Sequence, residues 1–263
     1  NEGAVGYNFE FVYPCLGGIA TLVQALATDL ENSIRTQESV IHICPNTKRV
    51  VTANANEYVY DILVWTGPVT KLIDCLVTTP KCQVKRIRCQ QLRELASKLR
   101  HAGLQVAVLG QPHYENRFGN EIQWLYVPKG YPFHRVGWSS RVASYLAPAG
   151  CEALYVELAS HQQSQVCEGD VLAALAALGV RVQDQPVDVY RSYWHEYAYP
   201  VETLETRQAL DGIQGVFAEE GWTIATTGRF GAWYYDSICE CIEHARQTVA
   251  AFTKRFQDAE VIR

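Results

Sequence analysis

Two arginines in this sequence stand where a cation needs a reason. Arg229 lies in Gly228-Arg229-Phe230-Gly231, a loop that follows the strand-like Trp222–Thr227. The loop precedes a helix start marked by Ser237 and Glu240, the spacing of a capping box. The first turn of a helix presents unpaired N–H groups and the positive end of its dipole, which favour anions and phosphate above all. Glycines at 228 and 231 would let a ligand approach the backbone closely, and Arg229 would add charge. The same residues also suit a purely structural turn. Arg135 lies in Pro132-Phe133-His134-Arg135-Val136, inside an apolar strand. A guanidinium flanked by buried positions needs a partner, either a carboxylate of the protein or a phosphate of a ligand.

Other chemistries find little support. Cys75, Cys82 and Cys89 recur at a spacing of seven, and Cys239 and Cys241 stand two apart. Neither pattern has a matching second pair of metal-ligand spacing, so no metal site is expected. There is no HExxH and no GxSxG, and no GxGxxG or GxxxxGK[ST]. The chain has 263 residues, 48% of them hydrophobic and 19% charged, enough for one large domain or two small ones around a sizeable core. A net charge of -5 argues against a nucleic-acid surface. The longest apolar stretches, such as 171–180, are too short to span a bilayer, and no leader pattern opens the sequence. Nine cysteines without CxxC pairs suit a reducing cytoplasm.

The elements that would position the two arginines follow from periodicity. Phe9–Tyr13 reads as a short strand, and Gly17-Gly18 opens a helix with an apolar stripe of Ile19, Leu22, Val23, Leu26 and Leu30. Ser39–Cys44 and Arg49–Thr52 form a hairpin about Pro45-Asn46-Thr47. Tyr58–Thr66 is predicted as one strand, with Ile62–Trp65 buried on both faces. A basic stretch runs from Lys81 to Arg100 and reads as a solvated helix face or, alternatively, a surface steering an anion. Strands are predicted at Leu104–Leu109, Ile122–Val127, Phe133–Trp138, Ala153–Leu158 and Val187–Tyr193, with a helix over Val171–Leu178 stopped by Gly179. A helix over Leu204–Glu220 and a final helix from Ser237, with Ile238, Ile242, Ala245, Val249 and Phe252 as a buried stripe, complete the pattern.

Several segments in this order resemble FAD-dependent amine-oxidase-like flavoproteins. Tyr13-Pro14-Cys15-Leu16-Gly17-Gly18 is similar to their YPxxGG segment, and Tyr60–Pro68 to their apolar strand ending in TxP. The stretch from Pro132-Phe133-His134-Arg135 through Ala147-Pro148-Ala149-Gly150 to Glu157 resembles one shared by protoporphyrinogen-oxidase-like proteins and UDP-galactopyranose mutases. Gly228–Tyr235 is similar to the mutases' GRFGxWxY flavin loop. The resemblance implies that the backbone of Val40 holds the adenine of FAD. It implies that Gly228, Arg229 and the helix start at Ser237 lie against the flavin and its pyrophosphate. It further implies that Arg135, Tyr199 and Tyr235 bind a substrate diphosphate, the tyrosines as neutral hydroxyl donors. The loop departs from the mutases where Tyr235-Asp236-Ser237 enters the helix at once.

The expected fold class is α/β plus α+β: an incomplete FAD-binding α/β layer from residues 1–76 and 200–263, and an antiparallel-sheet substrate domain from 77–199. With no GxGxxG, the chain reads as the C-terminal portion of such a protein, completed by an upstream or partner dinucleotide-binding segment. Three functions stay open. The first is an FAD-dependent oxidoreductase, favoured by the short turn; the second is a mutase-like sugar-nucleotide isomerase; the third is a non-catalytic binding module. The expected partners are a small-molecule substrate, a nucleotide sugar among the candidates, and a partner chain or second copy covering apolar surface around Ile62–Trp65.

Overall fold

The computed structural model describes residues 12–78, 84–127, 129–160 and 166–261. In chain order the elements begin with α1 (Ala20–Ala27), β1 (Val40–Cys44), β2 (Arg49–Thr52), β3 (Glu57–Val59), β4 (Leu63–Trp65), α2 (Val69–Val77) and α3 (Arg86–Ala96). Next come β5 (His101–Pro112), β6 (Trp124–Tyr126), β7 (Arg135–Trp138), α4 (Ser139–Val142), β8 (Cys151–Ser160) and α5 (Glu168–Leu178). The chain finishes with β9 (Val189–Pro200), α6 (Leu204–Glu219), β10 (Ile224–Thr226) and α7 (Ile238–Val261). The architecture is mixed α/β with antiparallel sheets, as the pattern predicts.

Two compact units divide the chain: Asn1–Ile34 with Gly103–Glu196, and Arg35–Ala102 with Tyr197–Arg263. The first is the sheet unit and the second the helical unit. These compact units are a different division from the expected functional domains, 1–76 with 200–263 and 77–199. Residues of α3 fall in the helical unit because Leu92 and Leu99 are buried in one cluster with Leu210 and Ile213 of α6. At the other end, the Tyr145 hydroxyl accepts from the Gly18 N–H (3.1 Å) and donates to the Pro14 carbonyl (2.9 Å), tying that segment into the sheet unit.

In the helical unit, β1, β2 and β3 form an antiparallel sheet, and alternation turns Ile43, Val50 and Thr52 inward. Strand β4 pairs in parallel with β10, Leu63 opposite Ile224 and Trp65 opposite Thr226. Helices α2 and α6 bury Leu72, Ile73, Ile213 and Phe217, each worth roughly 1.5–3 kcal/mol of burial. The Thr203 hydroxyl caps α6 by accepting from the Thr206 N–H at 3.1 Å.

The sheet unit carries a five-stranded sheet in the order β6-β7-β8-β5-β9. Strands β5 and β8 pair antiparallel from Gly103 opposite Ser160 to Pro112 opposite Cys151. One face bears Ala107, Leu109, Val136, Trp138, Leu154 and Val156 and packs with Val171 and Leu175 of α5. Gly179, at φ 80, ends α5 in the left-handed conformation.

Several expectations need correction. Tyr58–Thr66 is two strands, since β3 joins β2 while β4 joins β10. Strand β4 is not buried on both faces: it has one partner strand, and Val64 is 41% exposed. The apolar stripe of α7 is not buried as expected, and that of α1 is exposed too. No residue of α1 is buried, and Ile238 and Val249 of α7 are 50% and 58% exposed. Periodicity reports an apolar face, not what covers it. Strand β9 runs on to Pro200 beyond the predicted Tyr193. Most of the Phe9–Tyr13 strand, with Lys81 and Cys82, lies outside the described residues, and Tyr13 itself is in no strand.

Candidate functional site

The loop from Gly228 to Ser237 in the helical unit is held from within. Gly228 has φ +77, and a Cβ there would meet only the Thr66 carbonyl at 3.8 Å, so conformation rather than space requires glycine. Gly231 is the opposite case. A Cβ would stand 2.2 Å from the Thr227 carbonyl oxygen and 2.7 Å from that of Trp65. Its missing side chain makes room for the protein's own backbone. Trp233 is wholly buried at φ 58, a backbone conformation costly for a bulky residue. Its indole N–H donates to the Arg100 carbonyl at 3.1 Å. Arg207 of α6 donates to the carbonyls of Ala232 and Trp233 and stacks on Tyr234 at 3.8 Å, over-determining the strained turn.

Arg229 is likewise committed. Nε and Nη2 donate to the Asp236 carbonyl at 2.9 and 2.6 Å, and Nη1 donates to that of Ala198 at 3.3 Å. The guanidinium lies 5.0 Å from the ring centre of Tyr235, which in turn lies 5.6 Å from that of Tyr199. The structure therefore brings Arg229, Tyr235 and Tyr199 together in a row, the two rings tilted by 34°, and the Tyr235 N–H donates to Glu202 at 2.7 Å.

The start of α7 is a closed capping box, as the sequence predicts. The Ser237 N–H donates to the Glu240 carboxylate at 2.6 Å, and the Glu240 N–H to the Ser237 hydroxyl at 3.3 Å. The Ser237 N–H holds the Glu240 carboxyl below its ordinary pKa. The Ser237 N–H thus already has an anionic partner in the protein. One turn on, His244 Nδ1 lies 2.9 Å from the buried Asp236 carboxylate. A hollow of about 500 Å³ opens beside this start, lined by Arg229, Asp236, Ser237, Ile238, Cys241, Ile242 and Ala245. Val40 and Gly228 do not line it. Val40 packs against the unit's core, and its carbonyl accepts from the Cys75 thiol at 3.5 Å.

Arg135 belongs to the sheet unit, and its partner is a carboxylate. Nη2 donates to Glu157 Oε1 directly across the β7–β8 ladder, while Glu157 Oε2 is 3.4 Å from His134 Nε2. Burial opposes the charge on Arg135, but the hydrogen bond and attraction of Glu157 outweigh it and raise the pKa above its ordinary value. The guanidinium carbon lies 5.9 Å from the ring centres of both Tyr126 and Tyr155.

Sequence reasoning missed Arg207, Trp233, Glu157 and the Asp236–His244 pair. Arg207 bonds main-chain carbonyls far along the chain, so no local pattern marks it. Asp236 and His244, eight apart across a helix start, carried a usable signal. Among the described residues, no group of three or more His, Cys, Asp and Glu side chains is placed to hold a metal ion. No described helix is long and apolar enough to cross a membrane.

The hollow fits part of FAD. Its wall of Ile238, Ile242 and Ala245 suits a flat ring, and its polar rim offers main-chain and hydroxyl groups. It does not fit a pyrophosphate, since Glu240 occupies the helix end and Asp236 is a buried carboxylate.

No protein-family model and no curated protein matches the chain. By fold it superposes on reduced UDP-galactopyranose mutase with a TM-score of 0.73 at 21% identity, covering 85% of this chain and 47% of that one. It also superposes on a protein assigned as a protoporphyrinogen oxidase from Exiguobacterium sp. 255-15, with a TM-score of 0.67 at 14% identity, covering 89% and 51%. Both are of the kinds the sequence motifs resemble, and the chain has their fold. It spans about half the length of these solved structures.

Proposed function

We propose that this chain is the C-terminal portion of an FAD-dependent, amine-oxidase-like oxidoreductase, working with a dinucleotide-binding segment that lies upstream or on a partner chain. The observation that carries the reading is the hollow at the start of α7, beside a loop braced by Arg207 and Arg229, in a fold shared with the two proteins above. When bound, FAD would supply hydride acceptance. The chain's own residues do the rest: Ile238, Ile242 and Ala245 would shield the ring from water, and Arg229 would hold the loop at its edge. The pyrophosphate would be held by the other segment, because Glu240 already caps the helix here.

A second reading, a mutase-like sugar-nucleotide isomerase, draws on the contact between Tyr199 and Tyr235, which sets two phenols side by side as a diphosphate would require. Localisation in the cytoplasm and a small-molecule substrate remain parts of the proposal. The test is the flavin content of protein purified with its natural partners, read as an absorbance band and as flavin released on denaturation. Ala245→Trp, which fills the hollow from a half-buried helix position, should abolish the band while leaving the circular dichroism unchanged. A flavin band that survives this substitution would move the cofactor elsewhere. A colourless protein that rejects added FAD would leave the binding-module reading.

A further inference from the structure

We propose that a hollow at the end of the β5–β8 ladder, floored by Arg141 and Glu152, binds a small neutral polyol of monosaccharide size, one hydroxyl of which bridges the two charged side chains.

Strand register puts this floor at the edge of the sheet unit's core. On the face that packs with α5, Leu109 stands opposite Leu154, and Leu154 opposite Trp138. One step along the ladder on the same face, by alternation, Gln111 stands opposite Glu152. The apolar rows end there and a polar row begins, although both residues are buried. Gln111 Nε2 donates to Glu152 Oε1 at 2.8 Å. The guanidinium of Arg141, in α4, lies over the Trp138 ring at 4.1 Å. Its Nη1 donates to the carbonyls of Gly119 and Ile122 at 2.6 and 2.9 Å.

The two ions face each other without touching. Arg141 Nη2 is 4.0 Å from Glu152 Oε2, and the side chains are 9% and 3% exposed. Among the described residues, neither atom has a hydrogen-bond partner. Burial pushes the Glu152 carboxyl above its ordinary pKa and the Arg141 guanidinium below its own, the directions expected of charges short of partners. The gap is too wide for a direct hydrogen bond, and it suits one atom about 2.8 Å from each. That atom must accept from Arg141 and donate to Glu152. A carboxylate only accepts and an ammonium only donates, whereas a hydroxyl does both.

Water has the same chemistry, but the space beyond calls for more than water. The hollow measures about 430 Å³, within the range of about 300–1,000 Å³ usual for ligand clefts. Asn120, Ser140 and Ser144 line it, with His113, whose Nδ1 is 3.8 Å from Glu152 Oε2. The Ser140 hydroxyl accepts from the Ala153 N–H at 3.1 Å, which leaves its own proton to donate. The amide and the hydroxyls both donate and accept, as a ring of ligand hydroxyls requires. A ligand with a net charge would meet a like charge as well as an opposite one, and would lose its water for no gain.

Titration of the full chain with D-glucose and with D-galactose, followed by NMR, tests this without any flavin, so the flavin experiment and this one fail independently. At least one sugar should bind saturably, with a dissociation constant of about 5 mM or tighter. The uronate and the 2-amino form of that sugar should bind about tenfold more weakly. Ser144→Trp, at an exposed lining position, should abolish binding and leave the circular dichroism unchanged. Glu152→Gln should weaken binding about tenfold by removing the charged acceptor. Neither sugar saturating would overturn the proposal and leave the gap to water. So would a charged form binding as well as its parent, Ser144→Trp leaving binding unchanged, or Glu152→Gln folding normally with full affinity. Should Glu152→Gln fail to fold, Ser144→Trp and the charged sugars decide.

Discussion

Gly231 and Gly137 each stand two residues beyond one of the two arginines, and each lacks a side chain for a different reason. At Gly231 the space is filled by the carbonyls of Thr227 and Trp65, so the loop closes on its own backbone. At Gly137 it is filled by the ring of Tyr155, which lies against the strand. The arginines divide the same way. Arg229 is bound to main-chain carbonyls, whereas Arg135 is bound to a carboxylate and flanked by two phenol rings. The loop is a brace whose motif residues hold one another. The sheet face is a display, with its polar pair set among aromatic surface. Similar residue types thus serve rigidity in one unit and presentation in the other.

Substitutions can break that contrast. The largest effect is expected for Gly231→Ala, because backbone atoms cannot step aside: a loss of about 3 kcal/mol or more in chemical denaturation. A near-neutral result would show that the loop is not closed on itself. Arg207→Met should cost about 2–3 kcal/mol, since it leaves the Ala232 and Trp233 carbonyls without their charged donor next to a strained residue. Gly137→Ala should cost less, about 1–2 kcal/mol, because a ring can swing where a backbone cannot. Adding Tyr155→Ala to Gly137→Ala should recover part of that loss, and strict additivity would deny the contact.

The smallest expected effect is a pH dependence at the start of α7. The Glu240 carboxyl is held below its ordinary value by the Ser237 N–H, so its contribution is present above the unfolded value of 4.5 and fades as pH falls through the lower folded value. The unaltered protein should therefore melt slightly above Glu240→Gln at about pH 7, and the two curves should converge on acidification as the carboxyl is protonated. A gap that widened on acidification would reverse the assignment.

Local chemistry was legible in the sequence, and long-range partners were not. Ser237 and Glu240 announced the start of α7 because a capping box is complete within four residues. Gly179 announced the end of α5 for the same reason. Strand alternation located β5, β7 and β8, but β9 ran past its predicted end because its exposed aromatic and charged residues blur the pattern. The α1 stripe is apolar as its period indicates, but the α7 stripe is not buried as expected, since a period says which residues share a face and not what lies opposite. For Arg135 the sequence left a carboxylate and a phosphate open. The choice of Glu157 depends on a strand register that only the fold supplies.

The most direct test of the account is a fluorescence titration of the isolated chain with FAD and, separately, with riboflavin. The hollow at α7 fits the ring and not the pyrophosphate, so the account predicts that both bind, with affinities within about threefold, and that Ala245→Trp removes both. FAD binding far more tightly than riboflavin would place a pyrophosphate site on this chain. Neither flavin binding at all would contradict the hollow at α7 as a ring site formed by this chain.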